Sequence, residues 1–186
     1  MFYKIRQEDF ADDPRCWDNM TEMCLHHRKY NVANETFAHT ADFDSWDEMR
    51  RFLEKEYAVV VPVYMYDHSG VSIDTTPFSC RWDSGQIGFC VISKEKIQKE
   101  FGWTNMTKGR RAKLERIIDQ EVKTYSAFLN GDVYRFTIYD DNGEFVDSCG
   151  DYYGWEDCEA EAKSHMEYLI KSGRNPAEEY GLVSNF

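Results

Sequence analysis

The chain has 186 residues, 42% of them apolar, with five Trp, twelve Tyr and twelve Phe, enough to build a sizeable core and too much for a disordered segment. Its 22 Lys and Arg stand against 34 Asp and Glu, a net charge of −12, which repels phosphate backbones unless the cations are gathered on one face, so binding of free DNA is not expected. The N-terminus MFYKIRQEDFADDP lacks the apolar core of a secretory signal, no later run reaches the length of a membrane span, and the six cysteines include no C-x-x-C pair; a membrane protein, a disulfide scaffold and a zinc ribbon are thereby disfavoured, and reduced thiols in the cytoplasm are expected.

In chain order, Asn19 followed by Glu22 has the spacing of a capping box, and Met20, Met23, Cys24 and His27 continue it as a stripe, which predicts a short helix near 20 to 30. Ser45 with Glu48 repeats the pattern, and Trp46, Met49, Phe52 and Leu53 predict the buried face of a helix ending near Glu56. Tyr57 to Tyr66 is β-branched and apolar, as a strand covered on much of both faces is, and Pro62 points to an edge or a bulge in it. Asp67 to Gly70 reads as a turn into a short return strand, Val71 to Asp74, followed by an exposed loop to Gly85.

Gln86 to Ile92 predicts a third strand; Ser93 then caps a helix over Lys94 to Phe101 that Gly102 ends. Leu114, Ile117, Ile118, Val122, Tyr125, Phe128 and Leu129 recur at helical spacing, interrupted by Glu121, and predict a helix over about 108 to 129. Val133 to Asp140 and Glu144 to Cys149 flank Asp141, Asn142 and Gly143, a hairpin signal. Glu156 to Ser172 predicts a last helix with Ala162, His165, Met166, Leu169 and Ile170 inward and Gly173 as its stop, while Pro176 to Phe186 carries no pattern. Residues 1–186 therefore read as one α+β domain, an antiparallel sheet of about five strands with helices packed mainly on one face.

Reactive side chains concentrate in DHSGVSIDTTPFSCRWDSGQIGF, Asp67 to Phe89, on a loop between strand-like runs. Cys80 and His68 have the chemistry of a nucleophile and base if folding brings them together. Asp67, His68, Asp74 and Asp83 have that of a divalent-metal site for phosphodiester cleavage, though no ligand spacing supports it. A structural account covers the same residues: Asp67 and Ser69 form a turn before Gly70, Asp83 and Ser84 another before Gly85, and Cys80 is a small buried side chain. No cofactor motif is completed. Adjacent His26 and His27 point to different sides and do not converge on one metal. Lys108, Arg110, Arg111 and Lys113 form the one basic cluster, either an RNA contact or a solvated helix face.

The blocks DHSG, TTPFSCRWDSGQIGF, SKEKIQKEFGW, EVKTYSAFLNGDVYRFTI and DSCGDYYG, with DDPRCWDNMTEMCLHHRKYNV near the start, resemble a family of proteins carried by bacteriophages, prophages and conjugative elements of Gram-positive bacteria. The resemblance covers most of the chain and implies a mobile-element protein acting in the host cytoplasm. In composition the chain also resembles inhibitors of bacterial immunity, the anti-CRISPR proteins acting on Cas9 above all. That resemblance implies a basic partner, a CRISPR effector with its guide RNA, met through carboxylates placed like phosphates. The candidate contacts are Glu156, Asp157, Glu159 and Glu161 on the last helix and Asp140, Asp141 and Glu144 at the hairpin tip. The alternative is an enzyme, a nuclease or other hydrolase, using the loop that carries Asp67, His68, Cys80 and Asp83.

Overall fold

A computed structural model describes residues 1–32 and 37–181; the last five residues of the patternless tail lie outside the described residues. The chain divides into two compact units, one of Asp13–Ser126 and one in which Met1–Asp12 joins the segment from Ala127 onward. The architecture is α+β, as expected. Among the described residues the strands are seven in two antiparallel sheets rather than about five in one, because two strands, Phe2–Gln7 (β1) and Glu22–Leu25 (β2), are not legible as strands in the sequence.

The central unit holds β2, the helix Trp46–Glu56 (α1), Tyr57–Asp67 (β3), Val71–Asp74 (β4), Ser84–Ser93 (β5), Lys94–Phe101 (α2) and most of Lys108–Asn130 (α3). Its sheet has the order β2-β5-β3-β4. On α1, Ser45 accepts from the amide of Glu48 at 3.2 Å, while the Glu48 carboxylate takes the amide of Asp44 at 2.8 Å. Ser45→Ala is expected to lower stability by about 1 kcal/mol in urea unfolding with the slope unchanged. Met49 and Leu53 enter the core with Cys24, Val60, Phe89 and Val91. Phe52 does not: it is 44% exposed and tilts against Phe43.

Every residue from Ile87 to Ile92 in β5 is buried, so this strand is covered on both faces. Pro62 sits opposite Phe89, in a part of β3 that β4, paired only with Tyr64–Asp67, does not reach. The missing N–H therefore costs no second ladder. Ser93 caps α2 and Gly102 ends it in the left-handed conformation, φ 66°.

The helix expected near 20 to 30 is a strand. Asn19 donates to the carbonyl of Pro14 at 2.7 Å instead of capping. The amides of Met20 and Thr21, which a helix start leaves free, go to the Glu121 carboxylate of α3. Glu22–Leu25 then pairs with Gly88–Val91. A long-range carboxylate has replaced the local cap, and the ladder takes the rest.

In the other unit β1, Val133–Tyr139 (β6) and Phe145–Tyr153 (β7) form a sheet in the order β1-β6-β7. The helix Trp155–Ser172 (α4) covers one face, packing Cys158, Ala162 and Leu169 on Phe136, Ile138 and Val146. His165 faces inward as expected, bonded to Asp147 at 2.8 Å, whereas Ile170 is 56% exposed. Strand β7 does not stop before Gly150 but runs on to Tyr153 through a register shift and a positive φ at Asp151. The short helix Pro176–Glu179 (α5) places Ala177 in the core.

Candidate functional site

In the order β2-β5-β3-β4 with antiparallel neighbours, the C-terminal ends of β2 and β3 and the N-terminal end of β5 lie at the same end of the sheet. Three segments meet there: His26–Tyr30 after β2, the turn Asp67–Gly70 between β3 and β4, and the loop 75–83 before β5. The backbone fixes them. His26 donates to the carbonyl of Ile87 at 2.7 Å, Asp67 to that of Asp83 at 2.8 Å, and His68 to that of Gly70 at 3.1 Å across a turn whose Ser69 has φ 60°.

The four residues expected to be catalytic gather at this end but divide into two groups. In the first, one oxygen of Asp83, Oδ2, lies 3.3 Å from Nδ1 of His68 and 3.6 Å from Sγ of Cys80. The ring of Tyr66 stacks on His68 at 5.9 Å and on Phe78 at 5.6 Å, so the imidazole stands on an aromatic shelf. In the second, Asp67 accepts from Lys29 Nζ at 3.2 Å and from the Tyr30 hydroxyl at 3.0 Å. These two bonds, Lys29 first, hold the Asp67 carboxyl below the usual carboxylate range, and the same carboxylate pushes the Tyr30 phenol up. Tyr30 also stacks on His27 at 5.0 Å.

A nucleophilic cysteine needs its imidazole within hydrogen-bond reach and cations around the sulfur. Here His68 and Cys80 both end on Asp83, and the thiol donates to a carboxylate. The arrangement orders the loop rather than activating the sulfur. Asp74 is engaged locally, accepting from the amide of Thr76. Among the described residues no group of three or more His, Cys, Asp or Glu is placed to hold a metal ion. His26 bonds the carbonyl of Ala38 at 2.7 Å and so differs in role from its neighbour His27. At the end of the loop that leads into β5, Trp82 is 95% exposed beside the exposed Arg81.

The acidic candidates do not form one patch. The hairpin tip and the start of α4 lie at opposite ends of β7, about 25 Å apart at the rise of a strand. Asp140 is a turn residue: its carboxylate takes the amides of Glu144 and Asn142 at 2.8 and 2.9 Å, which lower its pKa, Glu144 most. Asp141 pairs with the N-terminal amine of Met1, and Glu144 is exposed. On α4, Glu159 pairs with Lys163 at 3.0 Å. Glu156, Asp157 and Glu161 are exposed and form no ion pair among the described residues.

In the basic cluster three of the four cations are engaged. Arg110 lies over the ring of Trp103 at 4.8 Å, and Lys113 over that of Phe101 at 4.6 Å, the two rings being stacked at 4.5 Å. Arg111 donates to the carbonyl of Ala58 at 3.2 Å. The cluster fastens the α2–α3 connection and fits the solvated helix face better than an RNA contact.

Lys29 and Tyr30 are site residues that sequence reasoning missed. The signal was present in the run HHRKY, four cation-forming residues in a row in an acidic chain. No helix is long and apolar enough to cross a membrane among the described residues. No family model matches the chain, and no curated protein or solved structure is significantly similar to it.

Proposed function

We propose that the protein is a non-enzymatic binder that inhibits a basic nucleic-acid-binding protein, in the manner of a mobile-element inhibitor of host defence, with a guide-loaded CRISPR effector such as Cas9 as first target. The observation that carries this reading is on α4. Asp157 and Glu161 stand one turn apart on the exposed side of the helix, and among the described residues neither forms an ion pair. Like charges at this spacing cost a helix a few tenths of a kcal/mol (about 0.2–0.5). A partner's Lys or Arg relieves that repulsion on binding and steers the encounter. Glu156 extends the patch. Glu159 contributes less, since its charge is already met by Lys163.

The loop at the end of the central sheet suits the same role better than catalysis. Its His68–Asp83–Cys80 contacts hold a backbone that presents Trp82 and Arg81 to solvent, and Trp and Arg are the residues that dominate interface hot spots.

The test is a cleavage reaction of guide-loaded Cas9 on target DNA, with DNA and RNA run on one denaturing gel. The expected result is blocked DNA cleavage with an intact guide, and relief of that block by Asp157→Lys with Glu161→Lys, with at least a tenfold rise in the inhibitor concentration needed, on the order of one desolvated charge contact. Normal cleavage at saturating protein rejects Cas9 as the target. Full inhibition by the reversed variant rejects the α4 surface. A shortened guide shows nuclease activity and returns the loop to an enzyme.

A further inference from the structure

The sheet β1-β6-β7 gathers cations on one face. Its ladder sets Phe2 opposite Tyr139, Lys4 opposite Thr137 and Arg6 opposite Arg135, then Tyr139 opposite Phe145 and Thr137 opposite Ser148. Residues directly opposite one another project from the same face, and alternate residues along a strand share it. The intervening set, Tyr3, Ile5, Phe136 and Ile138, belongs to the core packed with α4. The face turned away from α4 therefore carries three rows: the rings of Phe2, Tyr139 and Phe145; Lys4 with the hydroxyls of Thr137 and Ser148; and the guanidinium groups of Arg6 and Arg135.

Phe2 and Tyr139 are stacked at 5.3 Å and 21°, and Phe2 is 41% exposed. The Lys4 ammonium rests 5.7 Å from the first ring and 5.1 Å from the second. Lys4, Arg6 and Arg135 are all exposed. Among the described residues these cations form one ion pair, that of Arg135 with Glu8 at 3.5 Å. Beyond the ring row lies the hairpin tip, whose Asp140 is turned onto its own amides and whose Asp141 is paired with the N-terminal amine. The chain's net charge of −12 is thus reversed locally.

We propose that this face binds a single-stranded nucleic acid, one base stacking on the Phe2–Tyr139 pair and successive phosphates meeting Lys4 and then Arg6 with Arg135. An open antiparallel sheet with stacked rings and flanking cations suits exposed bases, because every base has a π face and the backbone supplies the charge. The rows are about 7 Å apart, two residues of strand, so a base on the rings places its phosphate over the lysine row. A base on the rings displaces the Lys4 ammonium toward that phosphate. Thr137 and Ser148 lie where a sugar passes. Duplexes are excluded because their bases are stacked inside. The proposal is independent of the acidic surface on α4, which lies on the other side of the sheet.

The test is fluorescence anisotropy of the full chain with a short labelled single strand of mixed sequence, as RNA and as DNA, and with the duplex, over a salt series. The expected result is salt-dependent binding of single strands over duplex. Phe2→Ala weakens it about tenfold at an unchanged salt slope, the loss of one stacked base. Lys4→Gln with Arg6→Gln weakens it and lowers the slope of log affinity against log salt by about 1.4, about 0.7 for each phosphate contact to a single strand. Arg110→Gln with Lys113→Gln on α3 leaves it unchanged. Circular dichroism checks that each variant is folded. A preference for RNA assigns the hydroxyl row to the 2′-OH, and equal affinity assigns binding to the rings and cations alone; both support the proposal. No binding by folded wild-type protein at low salt, equal affinity for duplex, or loss of binding in the α3 variant alone overturns it.

Discussion

Gly88→Ala is expected to abolish the native seating of β2 and to cost more than about 3 kcal/mol. Gly88 lies at the crossing of two ladders, opposite Leu25 of β2 and Val63 of β3. Its φ is 155°, a conformation L side chains rarely adopt, and a Cβ there meets the Cys24 carbonyl oxygen at 2.0 Å and the Leu25 Cα at 2.9 Å. Both obstacles are backbone, so no rotamer change relieves them. Relief requires β2 to leave the sheet, taking with it Cys24 and Leu25, which are buried in the core. It also frees the segment His26–Tyr30, whose Lys29 and Tyr30 hold Asp67. Urea unfolding followed by circular dichroism is the measurement. Gly109→Ala is the contrast: in the first turn of α3 with nothing within 4 Å of its added Cβ, it is expected to leave stability unchanged or raise it by up to about 1 kcal/mol. A Gly88→Ala protein as stable as the wild type shows that β2 does not pair with β5 at this register.

The elements that sequence reasoning placed well are those whose signals are local. Ser45 and Ser93 cap the helices they precede, Gly102 and Gly173 end theirs, and Asn142–Gly143 turns the hairpin; each is decided by a few neighbouring residues. The strands β1 and β2 depend on partners far away. Phe2–Gln7 alternates Tyr3 and Ile5 inward against Lys4 and Arg6 outward, but its partner is β6, more than a hundred residues on. The candidate site divides in the same way. His68, Cys80 and Asp83 could be grouped from sequence because they flank one hairpin and its loop. Lys29 and Tyr30 are 38 and 37 residues from Asp67, and nothing local announces the contact. Placing them requires β2, the element misread as a helix.

That misreading turns on one carboxylate, and Glu121→Ala is expected to destabilise the protein by about 3 kcal/mol. Within the apolar stripe of α3, Glu121 looks like a flaw in the pattern. Its two oxygens in fact take three donors from the segment just before β2: Oε1 the amide of Met20 at 2.8 Å, and Oε2 the amide and hydroxyl of Thr21 at 3.0 and 2.6 Å. Thr21 is buried, so the orphaned groups recover little from water. Hydrogen bonds to a charged acceptor contribute about 1.5–3 kcal/mol each at most, and leaving the donors unsatisfied adds its own penalty. The loss is not the full sum, because a freed Met20–Thr21 segment relaxes toward solvent. Glu121→Gln separates charge from geometry. Its carboxamide keeps one acceptor for Met20 and donates to the Thr21 hydroxyl, but presents no acceptor to the Thr21 amide, so about half the loss is expected. Hydrogen exchange locates the effect: the Met20 and Thr21 amides lose protection first in both variants, while those of α1, held by its Ser45 cap and by Met49 and Leu53, keep theirs. Unchanged protection at Met20 and Thr21 in Glu121→Ala removes the carboxylate as the group that holds this segment against α3 and leaves the conversion of the expected helix into a strand to the β5 ladder alone.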